Sequence, residues 1–192
     1  MKIKSILIST IAILGLSVFS ANAQNQDTFV KNDKIVSVGV GLFGQSLGKL
    51  TIPPITAAFE YGVVDNLFKN GNGSIGIGAK GGYYQVGYKN ETGSVTSHSG
   101  LVGGIATLHY QFIPRLDTYA GLFLGAYLGG ASTNIKTKAG EATVPGKGSA
   151  VDASFGWGLH LGARYYITNQ FAINGELGYG YSILNLGVTF KF

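Results

Sequence analysis

The stretch that decides the fold is 184–192, which reads LNLGVTFKF. Apolar residues occupy every second position, and asparagine, glycine, threonine and lysine fill the positions between them. Because successive side chains of a β-strand point to opposite faces, the pattern predicts a strand with one apolar and one polar face. A strand that ends on an exposed phenylalanine suits a barrel wall covered by lipid better than a soluble sheet edge, because exposed edges favour aggregation.

Seven earlier segments show the same alternation, which is typical of strands and not of helices. Each is long enough for a tilted membrane-spanning strand of roughly 9–11 residues. The sequence therefore predicts an all-β fold, an eight-stranded antiparallel transmembrane β-barrel over residues 35–192. The predicted bounds of the earlier segments are 35–43, 55–63, 74–89, 100–113, 118–130, 151–167 and 171–181.

The connections alternate between two kinds. Three short ones follow an aromatic residue and centre on Asp65-Asn66, Pro114-Arg115 and Thr168-Asn169. Longer polar stretches cover 44–54, 90–99 and 131–149. Outer-membrane barrels have short periplasmic turns and longer external loops, so we expect the three short turns to face the periplasm.

The composition limits the function. Glycine is abundant, at 31 residues, and aromatic residues make up 12% of the chain, whereas charged residues make up only 12%. Glycine at this level fits the bends and close backbone approaches of a small curved sheet. The net charge of +5 is too small and scattered to indicate a nucleic-acid partner. There is no cysteine, which excludes disulfides and thiolate metal sites, and we expect no metal or cofactor.

Residues 1–23 have the pattern of a cleaved signal peptide. Lys2 and Lys4 precede an apolar run over 6–19, and Ala21-Asn22-Ala23 forms a small-x-small cleavage site. The alternative is a membrane-anchoring helix, but the run is shorter than the roughly 20 residues that a span requires. We therefore expect export, and a short, flexible periplasmic leader over 24–34.

The polar faces of the predicted strands carry charges that would lie in the lumen. An eight-stranded barrel is only wide enough to be filled by side chains, and unpaired charges there would be costly. We expect Glu60 to pair with Lys80 and Arg164 to pair with Glu176. The phase of the fifth strand, 119–128, stays ambiguous because both of its faces are apolar or small. The predicted lumen residues are Glu60, Lys80, His109, Asp152, His160, Arg164, Glu176 and Lys191.

The signal peptide, the glycine-aromatic hairpins, the segment YYITNQF over 165–171 and the final strand resemble the small outer-membrane β-barrel domain family. Its members include the barrel of outer membrane protein A and outer membrane proteins X and W, and the version here is Bacteroidota-like. The resemblance implies a monomer in contact with outer-membrane lipid and lipopolysaccharide. It also implies that the barrel assembly machinery reads the last strand, through Asn185, Gly187, Phe190 and Phe192.

We consider three classes of function and expect the first of them, which is not enzymatic. The first is a non-enzymatic structural or surface-interaction role through external loops, where Lys136 and Lys138 could bind anionic lipopolysaccharide or simply aid solubility. The second is a narrow pore or a conduit for hydrophobic small molecules. The third is a lipid A-modifying enzyme, for which His98 among loop serines is a weak candidate base. His109 and His160 fit a proton-sensitive pair or, more simply, an interior polar network.

Overall fold

The computed structural model describes residues 28–42, 49–69, 71–90, 93–135, 144–145 and 152–192. The predicted signal peptide, residues 24–27 of the leader, Lys136 and Lys138 lie outside these ranges. No helix in the described part of the chain is long and apolar enough to cross a membrane. The strands are β1 (Lys34–Gly41), β2 (Lys49–Leu67), β3 (Gly73–Asn90), β4 (Gly93–Ile113), β5 (Leu116–Ile135), β6 (Val144–Pro145), β7 (Asp152–Tyr166), β8 (Phe171–Tyr179) and β9 (Leu184–Lys191).

Eight of these strands form a closed antiparallel ring. Each pairs with its neighbour in the chain, except that β5 pairs directly with β7, and β9 returns to pair with β1. Val36 of β1 lies opposite Phe59 of β2 on one side and Phe190 of β9 on the other. The two-residue strand β6 pairs only with the far end of β5, outside the ring. The predicted eight-stranded barrel is confirmed, and 184–192 supplies its closing strand.

The two ends of the barrel differ, and we name them by their connections. The turn end carries the turns 68–72, 114–115 and 167–170, and Arg115 has a φ of 67° in the tight β4–β5 turn. The loop end carries the short β8–β9 turn over 180–183 and the longer connections. Towards the loop end, the pairing of β7 with β8 stops at Leu159 and Tyr179. The pairing of β7 with β5 continues further, to Asp152. The wall is therefore low at β8–β9 and high along β2–β5 and β7.

Strands β2 to β5 are longer than predicted. The β3–β4 pairing continues to Asn90 and Gly93, so most of the predicted loop 90–99 is strand, and β2 begins at Lys49 inside the predicted loop 44–54. Near the turn end β2 runs through Asp65-Asn66, with irregular pairing, to a turn over 68–72. The β3–β4 extension was missed because polar residues lie on both of its faces, so that no apolar alternation marks it. The start of β2 does alternate, and it was missed because Pro53-Pro54 follows it and proline is uncommon inside strands.

The outer face of the ring is an apolar belt. The predicted apolar face of β7 is confirmed: Phe155, Trp157 and Leu161 are 74%, 47% and 63% exposed. On β5 the ambiguity is resolved, because Leu122 and Leu124 face outward whereas Tyr119 and Phe123 are buried in the lumen. A belt of large exposed apolar side chains around a closed ring is what a bilayer covers.

Candidate functional site

A closed ring of four charges crosses the lumen towards the turn end. The Nε2 atom of His109 lies 2.5 Å from Oε1 of Glu60, and its Nδ1 atom lies 2.9 Å from Oδ1 of Asp117. Arg164 completes the ring, with NH1 3.0 Å from Oδ2 of Asp117 and NH2 2.8 Å from Oε2 of Glu60. All four side chains are buried, so β2, β4, β5 and β7 are tied together across the interior. We call this group the charge ring.

Most polar atoms of the charge ring are paired within it, and the Nε of Arg164 is the exception. Both nitrogens of His109 face carboxylate oxygens, which only accept, so both are satisfied when the imidazole carries two protons and donates twice. Two negative and two positive groups then balance. Thr107 donates a further hydrogen bond to Glu60, and the Tyr119 ring lies 4.1 Å from the Arg164 guanidinium carbon. Paired charges with additional hydrogen bonds are the form in which ions persist away from water.

A second ion pair joins Lys80 to Glu176 one layer nearer the loop end. The predicted pairing of Glu60 with Lys80 and Arg164 with Glu176 is therefore wrong. Lys80 lies opposite Ala58, two residues along β2 from Glu60. Glu176 lies opposite Gly162, two residues along β7 from Arg164. The lumen is narrow, so a charged side chain reaches a partner at the same height on the opposite wall. It does not pair with the next charge on the neighbouring strand.

The sequence analysis missed Asp117, although this residue is fully buried and bonds both cations of the charge ring. Two signals pointed to it: it follows the Pro114-Arg115 turn, and it is two residues from Tyr119. The ambiguous phase of β5 concealed them. Among the described residues, no group of three or more histidine and acidic side chains is arranged to hold a metal ion. In the charge ring the guanidinium of Arg164 and the imidazole of His109 face the two carboxylates.

The other predicted residues lie apart from the charge ring. His160 is buried in the lumen near the Lys80–Glu176 pair. Asp152 lies on the same face of β7 as His160 and Arg164, but it is exposed at the loop end, beyond the last β7–β8 pair. Lys191 lies at the turn end, where its Nζ contacts the backbone oxygen of Thr28. His98 lies on β4, not in a loop, with its Nδ1 2.7 Å from the hydroxyl of Tyr83.

Residues 28–33, which we expected to belong to a flexible leader, fold into the turn end of the lumen. Thr28 and Phe29 are buried, and the Phe29 ring lies 4.2 Å from the ring of His109. The hydroxyl of Ser74 donates to the backbone oxygen of Phe29, and the Thr28 amide donates to Oε1 of Gln111. We call residues 28–33 the N-terminal plug, because they cover the charge ring from the turn end.

Towards the loop end the lumen becomes apolar. Leu101, Ile105 and Phe123 form a buried cluster, against which Tyr127 and Tyr181 pack. Two cavities of about 30 and 20 Å³ lie between this cluster and the charged layers. Such volumes hold roughly one or two water molecules each. The lumen is thus filled by three successive layers: the plug, the charges and the apolar cluster.

Glycines make room for these layers. A Cβ at Gly76 would lie 2.4 Å from Oε1 of Glu60, and one at Gly162 would lie 2.2 Å from the Tyr119 ring. Both distances are shorter than a carbon atom allows, so larger residues would push the network out of place. Part of the high glycine content is therefore explained by close approach inside the barrel.

The predicted assembly-signal residues divide between the two faces of β9. Asn185 is buried in the lumen, where its amide nitrogen donates to Oγ1 of Thr56, and a Cβ at Gly187 would lie 2.2 Å from the Val38 oxygen. Phe190 and Phe192 face outward and stack at 6.2 Å between ring centres. Asn185 and Gly187 therefore have packing reasons for their identity, independent of recognition.

Solved structures with this architecture are membrane barrels. Ail, the attachment invasion locus protein of Yersinia pestis, in complex with the heparin analogue sucrose octasulfate, matches at 14% identity over 85% of this chain and 100% of its own, with a TM-score of 0.52. A second Ail structure matches at 13% identity over 85% and 100%, with a TM-score of 0.50. The fold is that of the small outer-membrane β-barrels. No protein-family model and no curated protein matches this barrel.

Proposed function

We propose that this barrel is an integral outer-membrane protein that acts through the surface at its loop end. It acts neither as an enzyme nor as a channel. The observation that carries the proposal is the filled lumen, in which the charge ring and the N-terminal plug occupy the route between the two ends. In the orientation of such barrels the turn end faces the periplasm and the loop end faces outward. The working surface is then the high wall formed by β2–β5.

We further propose that residues 1–23 direct export and are removed, and that the assembly machinery reads β9 through Asn185, Gly187, Phe190 and Phe192. The barrel then resides in the outer membrane as a monomer. Fractionation of expressing cells with sequencing of the mature N-terminus tests this proposal. Outer-membrane protein that starts at Gln24 and shows heat-modifiable gel migration supports it, and an uncleaved or periplasmic chain contradicts it.

We propose that the surface at the loop end binds an anionic polysaccharide. Lipopolysaccharide is the nearest source of one. Lys49 and Lys89 are exposed at the loop end, and the sequence adds Lys136 and Lys138 in the β5–β7 connection. The sucrose octasulfate complex of Ail supports the idea, because that barrel shares the fold and its ligand is a polyanion.

A charge-reversal experiment tests the external surface. The barrel in nanodiscs is passed over immobilised lipopolysaccharide and over heparin at rising salt. We expect Lys49→Glu with Lys89→Glu to weaken binding, and the matched pair Lys31→Glu with Lys34→Glu, at the turn end, to leave it unchanged. Binding should also fall with salt, because exposed charges are screened beyond about 10 Å at 0.1 M. Equal binding by both pairs would refute a site at the loop end.

One of the two alternatives has a supporting observation. The small cavity beside Lys80, His160 and Glu176 favours a narrow pore, which would carry ionic current across a bilayer. A lipid A-modifying enzyme would need a nucleophile, a base and an orienting acid together. His98 instead contacts the phenol of Tyr83, which leaves it without that arrangement. Mass spectrometry of lipid A from cells with and without the protein decides: a changed lipid A would establish the enzyme.

A further inference from the structure

A groove on the outer face of the barrel lies outside the lumen and the loop-end surface. It follows β5 at the turn end and has a volume of about 330 Å³, within the range of roughly 300–1,000 Å³ typical of small-molecule sites. Thr118 and Ala120 form its floor, and Leu108 and Leu161 form its sides. The strand pairing explains this shape, because Ala120 lies directly between Leu108 of β4 and Leu161 of β7.

Aromatic residues close the turn end of the groove. Phe68 packs edge-on against Tyr110, with 5.8 Å between ring centres, and both line the groove. Phe68 has a φ of 67°, which is uncommon for a bulky residue and costs conformational energy. The turn therefore holds this ring beside the groove at some cost, although the ring is 59% exposed.

Two cations stand at the same end of the groove. Lys69 directly follows Phe68 and is exposed, and Arg115 lies in the β4–β5 turn that leads into the groove floor. Asp117, the acidic residue closest to Arg115 in the chain, points into the lumen and belongs to the charge ring. An apolar groove with cations at one end matches a lipid whose acyl chain bears an anionic headgroup.

We propose that this groove is a binding site for one glycerophospholipid of the periplasmic leaflet. One acyl chain lies over Thr118 and Ala120, and the phosphate group lies near Lys69 and Arg115. The position at the turn end selects this source over lipopolysaccharide, which occupies the opposite leaflet. Anionic headgroups such as phosphatidylglycerol should bind more tightly than zwitterionic ones, because cations near a membrane surface attract anionic lipid.

Native mass spectrometry of the full barrel, taken from nanodiscs that contain phosphatidylglycerol and phosphatidylethanolamine, tests the site. We expect one retained phospholipid in the wild type, enriched in phosphatidylglycerol. Ala120→Leu should abolish the adduct by filling the floor, whereas Ala126→Leu, on the same outward face of β5 nearer the loop end, should retain it. Lys69→Gln and Arg115→Gln should each weaken retention about fivefold.

Two results would overturn the site: no adduct in the wild type, or equal adducts in Ala120→Leu and Ala126→Leu. Retention of lipid A from nanodiscs that also contain it would overturn the assignment to the periplasmic leaflet. The inference rests on the proposed placement of the barrel in the membrane. A failure of that placement gives a different result from a failure of lipid binding. A chain that does not enter the bilayer would show no heat-modifiable form in any variant, so that folding is read independently of lipid binding.

Discussion

Removing Arg164 is the sharpest perturbation of the charge ring. Its guanidinium lies within 3.0 Å of both acidic partners, and the side chain is almost fully buried. Arg164→Met keeps much of the volume and leaves Glu60 and Asp117 with only His109 as a positive partner. The ring would then carry one uncompensated negative charge.

The expected cost follows from the geometry. Opposite charges about 4 Å apart attract by about 4 kcal/mol at an effective dielectric constant of about 20, so the two contacts amount to about 8 kcal/mol before desolvation. Desolvation offsets a large part of this attraction, and removing one partner of a buried pair typically costs about 3–5 kcal/mol. We therefore expect Arg164→Met to lower the free energy of unfolding by about 3–5 kcal/mol.

Urea unfolding in lipid vesicles, followed by the fluorescence of Trp157, measures this loss, since the chain has one tryptophan and it faces the lipid. Asp117→Asn in the Arg164→Met background restores neutrality, so the double variant should lose less than the sum of the two singles, by about 1–3 kcal/mol. Lys69→Met, on the surface, should change stability by less than about 0.5 kcal/mol. A loss below about 1 kcal/mol for Arg164→Met, or strict additivity, would refute the ring as an energetic unit.

Three further predictions concern the plug, a glycine and the closing strand. Phe29→Ala should cost about 3 kcal/mol and speed proteolysis at the turn end, because its buried ring packs on His109, whereas Phe112→Ala on the lipid face should not. Gly76→Ala should cost about 1–3 kcal/mol in urea unfolding, since its Cβ would collide with Glu60, whereas Gly104→Ala, whose nearest atom is 3.7 Å away, should be tolerated. Deletion of Phe192 should lower the heat-modifiable fraction in outer membranes relative to Phe155→Ala, and equal fractions would argue against recognition of the closing strand.

The barrel was predictable because its signal is local and repeated. The alternation of Leu186, Val188 and Phe190 depends only on neighbours in the strand and on the lipid outside, and the same holds for Phe155 and Trp157. The alternation was enough to count the eight strands, although on β5 it did not decide which face points outward.

The partners inside the lumen were not predictable in the same way. Glu60 meets Arg164 across 104 positions of chain, and the meeting depends on the register of every strand between them. Registers are set by where strands begin, and the starts of β2 and β4 were misplaced. The polar start of β4 carries no apolar alternation, and Pro53-Pro54 concealed the start of β2. The N-terminal plug was missed for a related reason: residues 28–33 gain their contacts from the barrel end and have no periodic pattern of their own.

Single-channel recording tests the central claim, the sealed lumen, most directly. The mature barrel is reconstituted in lipid vesicles that are fused with planar bilayers. Insertion is verified by heat-modifiable protein recovered from the same vesicles. Because the plug, the charge ring and the apolar cluster fill the lumen in succession, we expect no reproducible current steps at neutral pH. Well-resolved, ion-selective steps from the inserted wild-type barrel would contradict the sealed lumen and establish the pore.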